Sequence, residues 1–408
     1  MTAAARERTV EADGPRVAGG GVDSEVRCAR AALLRVAEPP APAVLRLIDR
    51  RGPVDAWQRI RAGAVDDDVL SATAARLAGR SAGELGDLVA ADLASAAAVG
   101  ARLVVPEDPE WPAAAVSALR TRGPRAAGQR ADPVALWVRG GSLSALPSDG
   151  ITVVGSRAST PYGQRLATDL GHRVAAAGLT VVSGAAFGID AAAHRGALAA
   201  AVPGTATVAV LACGIDQAYP VAHRELIEAV AAAGAVVSEY PPGTRPARHR
   251  FLVRNRLIAA LGAGTVVVEA GRRSGTLSTA CEAAELHRLV MALPGPVTSA
   301  LSVGCHRLIA DGAALLVTGA DDVLSLLRPD RSAAQDGLWS IDEDRPTDGL
   351  DPEALRVYDA LDPRRARTVA DVAEDSGVPA PAVLSALGLL EVRALAARHG
   401  GGTWRRAG

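Results

Sequence analysis

Two short apolar runs, Ile151–Val154 and Thr180–Ser183, each end in a Gly/Ser turn, and these turns hold the groups best placed to do chemistry. The first turn, Gly155-Ser156-Arg157, sets a guanidinium among backbone N–H groups. The second, Ser183-Gly184, leads into Phe187, Gly188, Ile189 and Asp190. A third, Ser274-Gly275-Thr276, opens a helical stretch after the apolar run Thr265–Glu269. Turns that lead from a parallel strand into a helix present free N–H donors and the positive end of the helix dipole, where anions bind. Ser274 or Thr276 alone would be an ordinary helix N-cap. Three such turns at one sheet edge favour a groove for a phosphate-bearing ligand.

A run of arginines follows from Arg245 through Arg248, Arg250 and Arg254 to Arg256, with His249 and Asn255 among them and no acid from Pro241 through Val268. A charge run is ordinarily a solvated face, but this one enters a helix from the same sheet edge as the Gly/Ser turns. Arg250 and Arg254, four apart, share one helical face, while Arg256 points elsewhere and suits the bracing of a turn. Guanidinium forks match phosphate oxygens bidentately. Aromatics are scarce, and five of the six Phe and Tyr residues (Tyr162, Phe187, Tyr219, Tyr240, Phe251) fall on or beside these loops. An aromatic rim along a basic groove is what an unpaired polynucleotide needs. Tyr219 before Pro220 and Tyr240 before Pro241-Pro242 read as loop anchors, which leaves Phe187 and Phe251 as the stacking candidates.

Composition narrows the rest. A net charge of −1 excludes a wholesale polycation, so nucleic-acid contact must be local. All 44 basic residues are Arg, and without Lys neither a Gly-x-x-x-x-Gly-Lys-Ser/Thr phosphate loop nor a lysine Schiff base can form. Cysteines 28, 213, 281 and 305 make no C-x-x-C pair, so no zinc or disulfide framework is expected, and a reducing cytosol fits. The first residues lack the apolar core of a secretory signal and no long apolar run follows, so a cytoplasmic chain without a membrane contact is expected. Catalytic readings are weak. His194 lies four after Asp190, but no further ligands accompany them, and a capping or supporting role is the better reading. Cys213 reads as a small buried residue. Gly262-Ala263-Gly264 precedes its strand, so no dinucleotide fingerprint is present. No cofactor, no metal and no catalytic residue are expected.

These residues need a scaffold. Residues 1–23 are polar and Gly/Ala-rich and are expected to be disordered. From 24 to 98 apolar residues recur at helical spacing, which predicts a small all-α domain of hairpins. Arg102–Val105 and Ala135–Arg139 read as strands flanking a loop-rich connector. Then six strands, Ile151–Val154, Thr180–Ser183, Thr207–Leu211, Ala235–Ser238, Thr265–Glu269 and Leu289–Ala292, alternate with helices Gln164–Ala177, Ala191–Ala200, Ala222–Ala233, Phe251–Leu261 and Thr276–Leu286. That alternation predicts an α/β fold with a doubly wound, mostly parallel sheet across 99–328, closed by Asp321–Leu327. A polar linker over 329–350 leads to a winged-helix domain at 351–408, whose second and third helices meet at Asp375-Ser376-Gly377 and whose wing turns at Gly400-Gly401-Gly402. Its recognition helix, beginning Ala380-Pro381-Ala382, carries no basic side chain to meet a duplex, which weakens a transcription-factor reading.

Together the strings GSR-x-x-TPYG, SG-x-A-x-GIDAAAH, CGID-x-x-YP, SEYPPGT, F-x-x-RNR and SGT-L-x-TA closely resemble the DNA-processing protein A family, also called Smf, over roughly Ile151 to Ala314. The resemblance implies an extended Rossmann-like domain that binds single-stranded DNA cooperatively, usually as a homodimer. It also implies a mediator that protects incoming strands and helps load the RecA recombinase during natural transformation. By position, Gly155, Ser156 and Arg157 would grip a phosphate, Arg248 would stand where relatives often have Lys, and Phe251 would contact a base. Arg254, Asn255 and Arg256 would line the groove or hold its wall, and Ser274, Gly275 and Thr276 would donate from the helix start. The chain departs from the pattern at Phe187, where relatives commonly have Arg, at Pro296, and at Cys305-His306. Gly271 with Ser274-Gly275-Thr276 also resembles the lysine-decarboxylase-like nucleoside-monophosphate phosphoribohydrolases, but their acid would fall at Thr279, and the next acid is Glu282.

Overall fold

Strands that are apolar along their whole length must be covered on both faces, and this requirement organises the first part of the chain. The computed structural model describes residues 23–120, 131–144, 150–202, 206–272, 274–328, 347 and 349–407. Most of the N-terminal tail and most of the 329–350 linker therefore lie outside the described residues. The chain divides into two units, Met1–Ser332 and Ala333–Gly408.

The first unit holds a nine-stranded sheet: β1 Ala101–Val104, β2 Leu136–Gly140, β3 Gly150–Val154, β4 Thr180–Ser183, β5 Thr207–Leu211, β6 Ala235–Ser238, β7 Gly264–Val267, β8 Leu289–Ala292 and β9 Leu315–Leu316, in the order β1-β2-β6-β5-β4-β3-β7-β8-β9. All pairings from β6 to β9 are parallel, whereas β1–β2 and β2–β6 are antiparallel. The six expected core strands are present. The two earlier strands do more than flank a connector, since they extend the sheet beyond β6. Strand β9 is a two-residue edge pairing, too short to leave a periodic signal in the sequence.

Helices cover both faces. Ile151 and Val153 of β3 point into one cluster with Leu170, Val174 and Ile189, while Val154 points into the other with Leu257, Ile258 and Ala280. The first layer contains α7 (Pro161–Ala176) and α8 (Ile189–Ala199); the second contains α10 (Arg248–Leu261) and α11 (Gly275–Glu285). Helices α7 and α8 meet backbone to backbone: a Cβ on Gly171 would stand 2.2 Å from the Ala193 carbonyl oxygen. Helix α10 starts three residues earlier than the apolar spacing indicates, so Arg248 and Arg250 fall within its first turn. Helix α12 (Val303–Ala310) has no side-chain N-cap, and its start was invisible to sequence signals.

Ahead of the sheet lie α1 (Ser24–Val36), α2 (Pro42–Arg51), α3 (Pro53–Ala62), α4 (Asp67–Leu77) and α5 (Ala82–Ala98). Their apolar faces, with Leu33, Leu34, Val44 and Ile60, share one cluster with Trp137, Leu211, Ile227 and Val236 of the sheet layer. Among the described residues, the short α6 (Ala113–Val116) and a 3-10 turn over Ser117–Arg120 lie between β1 and β2, and this unit also holds α9 (Arg224–Ala233) and α13 (Ala320–Leu327).

The second unit is a winged helix. Helices α14 (Pro352–Asp359), α15 (Val369–Ser376) and α16 (Ala380–Val392) close on Val357, Val372, Leu387, Leu390 and Trp404, and the hairpin β10 (Ala396–His399) with β11 (Thr403–Arg406) forms the wing. Asp351 caps α14 by accepting from the Glu353 and Ala354 N–H groups at 2.9 and 2.8 Å. The outer side of α16 exposes Leu384, Leu389 and Val392 instead of cations.

Candidate functional site

In an open α/β sheet, ligands sit beyond the carboxyl ends of the strands where the strand order reverses. Here the chain runs outward from β3 through β4 and β5 to β6, then returns to lay β7 on the other side of β3. The β3/β7 junction is that reversal. A cleft of about 440 Å³ opens there, lined by Gly155, Ser156 and Arg157 after β3, Ala186 and Asp190 after β4, Phe251, Arg254 and Asn255 of α10, and Ser274, Gly275, Thr276 and Thr279 at the head of α11.

Hydrogen bonds between the turns fix the cleft. The Ser156 N–H donates to the Glu269 carbonyl at 2.7 Å, and the Ile189 N–H donates to the Ser156 carbonyl at 3.2 Å. Thr276 Oγ1 donates to the Gly155 carbonyl at 2.9 Å, so this buried hydroxyl clamps the first and third turns together. Ser274 Oγ accepts from the Thr276 N–H at 3.2 Å and is the N-cap of α11. The Glu269 carboxylate is buried and accepts from the Thr160 N–H at 2.9 Å and its hydroxyl at 2.5 Å, fixing the loop that leads into α7. Gly188 has φ +78°, and a Cβ there would stand 2.2 Å from the Ser156 carbonyl oxygen. Only glycine lets the second turn approach the first so closely.

Within this frame Arg157 is exposed, and among the described residues it has no hydrogen-bond or carboxylate partner. Its guanidinium lies 5.2 Å from the centroid of the Phe251 ring. Tyr219 supports that ring from the side at 5.4 Å. Asn255 is buried, lines the cleft and likewise has no side-chain partner among the described residues. Its amide opens into the cleft and can hydrogen-bond a ligand there.

Arg254 differs from the expectation of a free phosphate contact. It is buried, and Nη1 donates to the Gly184 carbonyl at 3.0 Å and to the Val210 carbonyl. Burial pulls its pKa down to about 10, while the Asp190 charge opposes that shift. Burial likewise pushes the Asp190 carboxyl up, against the Arg254 charge and the Ala186 and Gly184 N–H groups. Arg254 thus forms the cleft's floor, and among the described lining residues Arg157 is the free cation.

The remaining expected site residues lie outside the cleft lining. Ser183 is buried, with its hydroxyl donating to the Val153 carbonyl at 2.6 Å. Phe187 is 47% exposed but sits edge-on to His223 at 4.6 Å. Arg248 is exposed in the first turn of α10. The arginine run is not free of acids in space. Arg250 is bound by Glu38 at 2.8 Å, and Arg256 is buried against Glu239 at 2.6 Å, so Arg256 meets no ligand. Tyr240 is buried, and Tyr162 donates to the Pro294 carbonyl at 2.9 Å. Cys305 is buried and His306 contacts Gly295, so that departure from the family pattern does not reach the cleft. Sequence reasoning did not single out Ala186, Leu252 or Ile258 as lining residues; the adjacency of Leu252 to Phe251 in the arginine-rich run was the available signal.

His194 is enclosed, and Nδ1 lies 2.7 Å from Thr207 Oγ1. Burial drives its pKa down to about 3. A buried neutral imidazole stabilises the fold above the unfolded-state pKa near 6.5, and that stability is lost as pH falls from there towards 3. Unfolding free energy should therefore drop by about 1.4 kcal/mol by pH 5.5. Urea titrations at about pH 8 and about pH 5.5 should show this loss in the parent and not in His194→Asn. Among the described residues no group of three or more His, Cys, Asp or Glu could hold a metal ion.

Residues 101–328 match the family described as DNA recombination-mediator protein A, and residues 342–402 match the DprA winged helix domain. The chain is 45% identical over 382 residues to a DNA processing protein DprA of Mycobacterium tuberculosis strain H37Rv, covering 92% of this chain and 94% of that one. It is 38% identical over 277 residues to protein Smf of Escherichia coli K12, covering 66% and 71%. The crystal structure of DNA processing protein A from Streptococcus pneumoniae superposes with a TM-score of 0.58 at 28% identity, covering 74% of this chain and 98% of that one.

Proposed function

We propose that this chain, which belongs to the DNA recombination-mediator protein A family, holds single-stranded DNA in the cleft at the β3/β7 junction. The observation that carries this reading is the pairing of an uncommitted guanidinium, Arg157, with the Phe251 ring. Such a pair can take a phosphate and a stacked base at once, independently of sequence. Ser156, Asn255 and Ser274 add polar groups around it, and Arg248 stands on the same turn of α10 as Phe251. Gly155, Gly184 and Gly188 shape the turns, and Thr276 clamps two of them. The family reading extends this to a homodimer that protects incoming strands and helps load RecA during DNA uptake.

An enzymatic reading as a nucleoside-monophosphate phosphoribohydrolase finds less support. Thr279 stands in the cleft where that family has its acid, and the one carboxylate among the described lining residues, Asp190, is held by two backbone N–H groups. A fluorescent oligothymidylate titrated at two salt concentrations tests the proposal. Affinity should fall with salt by a log–log slope of about −0.7 per phosphate contacted. An AMP-hydrolysis assay on the same sample should stay at background. Hydrolysis without strand binding would reverse the assignment.

A further inference from the structure

A second basic site lies away from the cleft. Between the helical region and the loop after β6 is a pocket of about 260 Å³ into which five arginines and a single carboxylate, Glu38, project. Glu38 is oversubscribed: it accepts from Arg250 Nε at 2.8 Å and from His249 Nε2 at 3.1 Å, and it pairs with Arg76. Arg35 is committed to Asp92 and also donates to the Pro242 carbonyl at 3.1 Å. The nearby Asp216 accepts from the Gly243 N–H at 2.9 Å. Arg80 and Arg245 are exposed and have no carboxylate partner among the described residues. The positive surplus is felt locally: burial, then the charges of Arg250 and Arg35, lower the pKa of Arg76.

A second, independent observation points to a ligand. Tyr240 lines the same pocket, is 1% exposed, and its hydroxyl has no hydrogen-bond partner among the described residues. A buried hydroxyl is rarely left unpaired. Excess guanidinium forks beside an orphaned O–H donor suit a compact anion with several acceptor oxygens.

We propose that this pocket is a phosphate-binding subsite, with Arg80 and Arg245 as its free cations and Tyr240 as its hydroxyl donor. The first turn of α10 separates it from the cleft, with Arg250 on the pocket side and Phe251 and Arg254 on the cleft side. A strand leaving the cleft around that turn would supply the phosphate; a free phosphate compound would supply the same chemistry. The strand source rests on the proposed function above, and the free source does not.

The test uses the full chain, with Arg80→Ala/Arg245→Ala and Tyr240→Phe beside the parent. If the strand supplies the phosphate, the double variant should bind an oligothymidylate of about 20 nucleotides roughly tenfold more weakly, with a salt slope shallower by about 0.7 to 1.4. A hexamer, confined to the cleft, should bind as before. Tyr240→Phe should weaken the long strand about threefold without altering the slope. If a free phosphate occupies the site, inorganic pyrophosphate measured by calorimetry should bind the parent and be lost in the double variant, while both strands bind unchanged. Parent-like binding of the long strand and of pyrophosphate by both variants overturns the subsite. Hexamer binding that ignores Arg157→Ala would count against the cleft instead, and the pyrophosphate arm would still decide the pocket.

Discussion

Replacing Glu239 with Gln should lower the unfolding free energy by about 3 to 5 kcal/mol, the usual cost of stranding one partner of a buried ion pair. Glu239 directly follows β6, and both its oxygens accept from Arg256 Nη2, at 2.7 and 2.6 Å. Arg256 is 1% exposed, and among the described residues its Nε and Nη1 have no partner, so this carboxylate is its direct counter-charge, with Asp132 acting on it only at longer range. Burial raises the Glu239 pKa against the pull of Arg256, a sign of how costly the site is for charge. Urea unfolding should show the midpoint falling at an unchanged m-value. The double variant Glu239→Gln/Arg256→Met should recover most of the loss, because removing both charges ends the desolvation cost. A double variant no more stable than the single one would mean that the charge is not the cause. The pair anchors the middle of α10 to β6, so the single variant should also loosen the first turn of that helix, and with it Phe251.

The parallel core was legible because its strands are apolar on both faces and stop at Gly/Ser turns. Val153 and Val154 each find a helix layer, and the turn at Gly155 marks the strand end. The three turns could be assigned to one edge from topology alone. What failed was the arginine run. Only Arg256 was set apart as a brace, as its buried pairing with Glu239 bears out; with no acid from Pro241 to Val268, Arg248, Arg250 and Arg254 read as a free basic patch. Its counter-charges arrive from far along the chain: Glu38 lies 212 residues before Arg250, and the carbonyls that hold Arg254 belong to Gly184 and Val210. Helical spacing shows which arginines share a face and says nothing about what packs against that face. The antiparallel annexation of β1 and β2 escaped for the same reason, since a ladder that sets Arg139 of β2 opposite Val236 of β6 joins segments far apart in the chain and leaves no local pattern.

Phe251→Ala should weaken single-strand binding by about 1 to 3 kcal/mol, the range for losing one stacked base, and leave the salt slope unchanged. Arg157→Ala should act differently, losing one phosphate contact and flattening the slope by about 0.7. The two losses should not add. Arg157 and Arg254 lie 5.2 and 5.8 Å from the Phe251 ring, so removing the ring also frees the guanidinium that rests on it. A double-mutant cycle read by fluorescence anisotropy should therefore show the combined variant binding more tightly than the sum of the single losses allows. Phe251→Trp, which keeps a stacking face, should restore most of the affinity. Tyr219 packs against the same ring at 5.4 Å, and Tyr219→Ala should reproduce a smaller part of the Phe251 loss by letting the ring rotate. Parent-like affinity in Phe251→Ala, with Arg157→Ala still flattening the slope, would leave a cleft that grips phosphates and reads no bases. A guanidinium without its ring would hold a duplex backbone as readily as an unpaired strand, so the ring decides which polymer the cleft prefers.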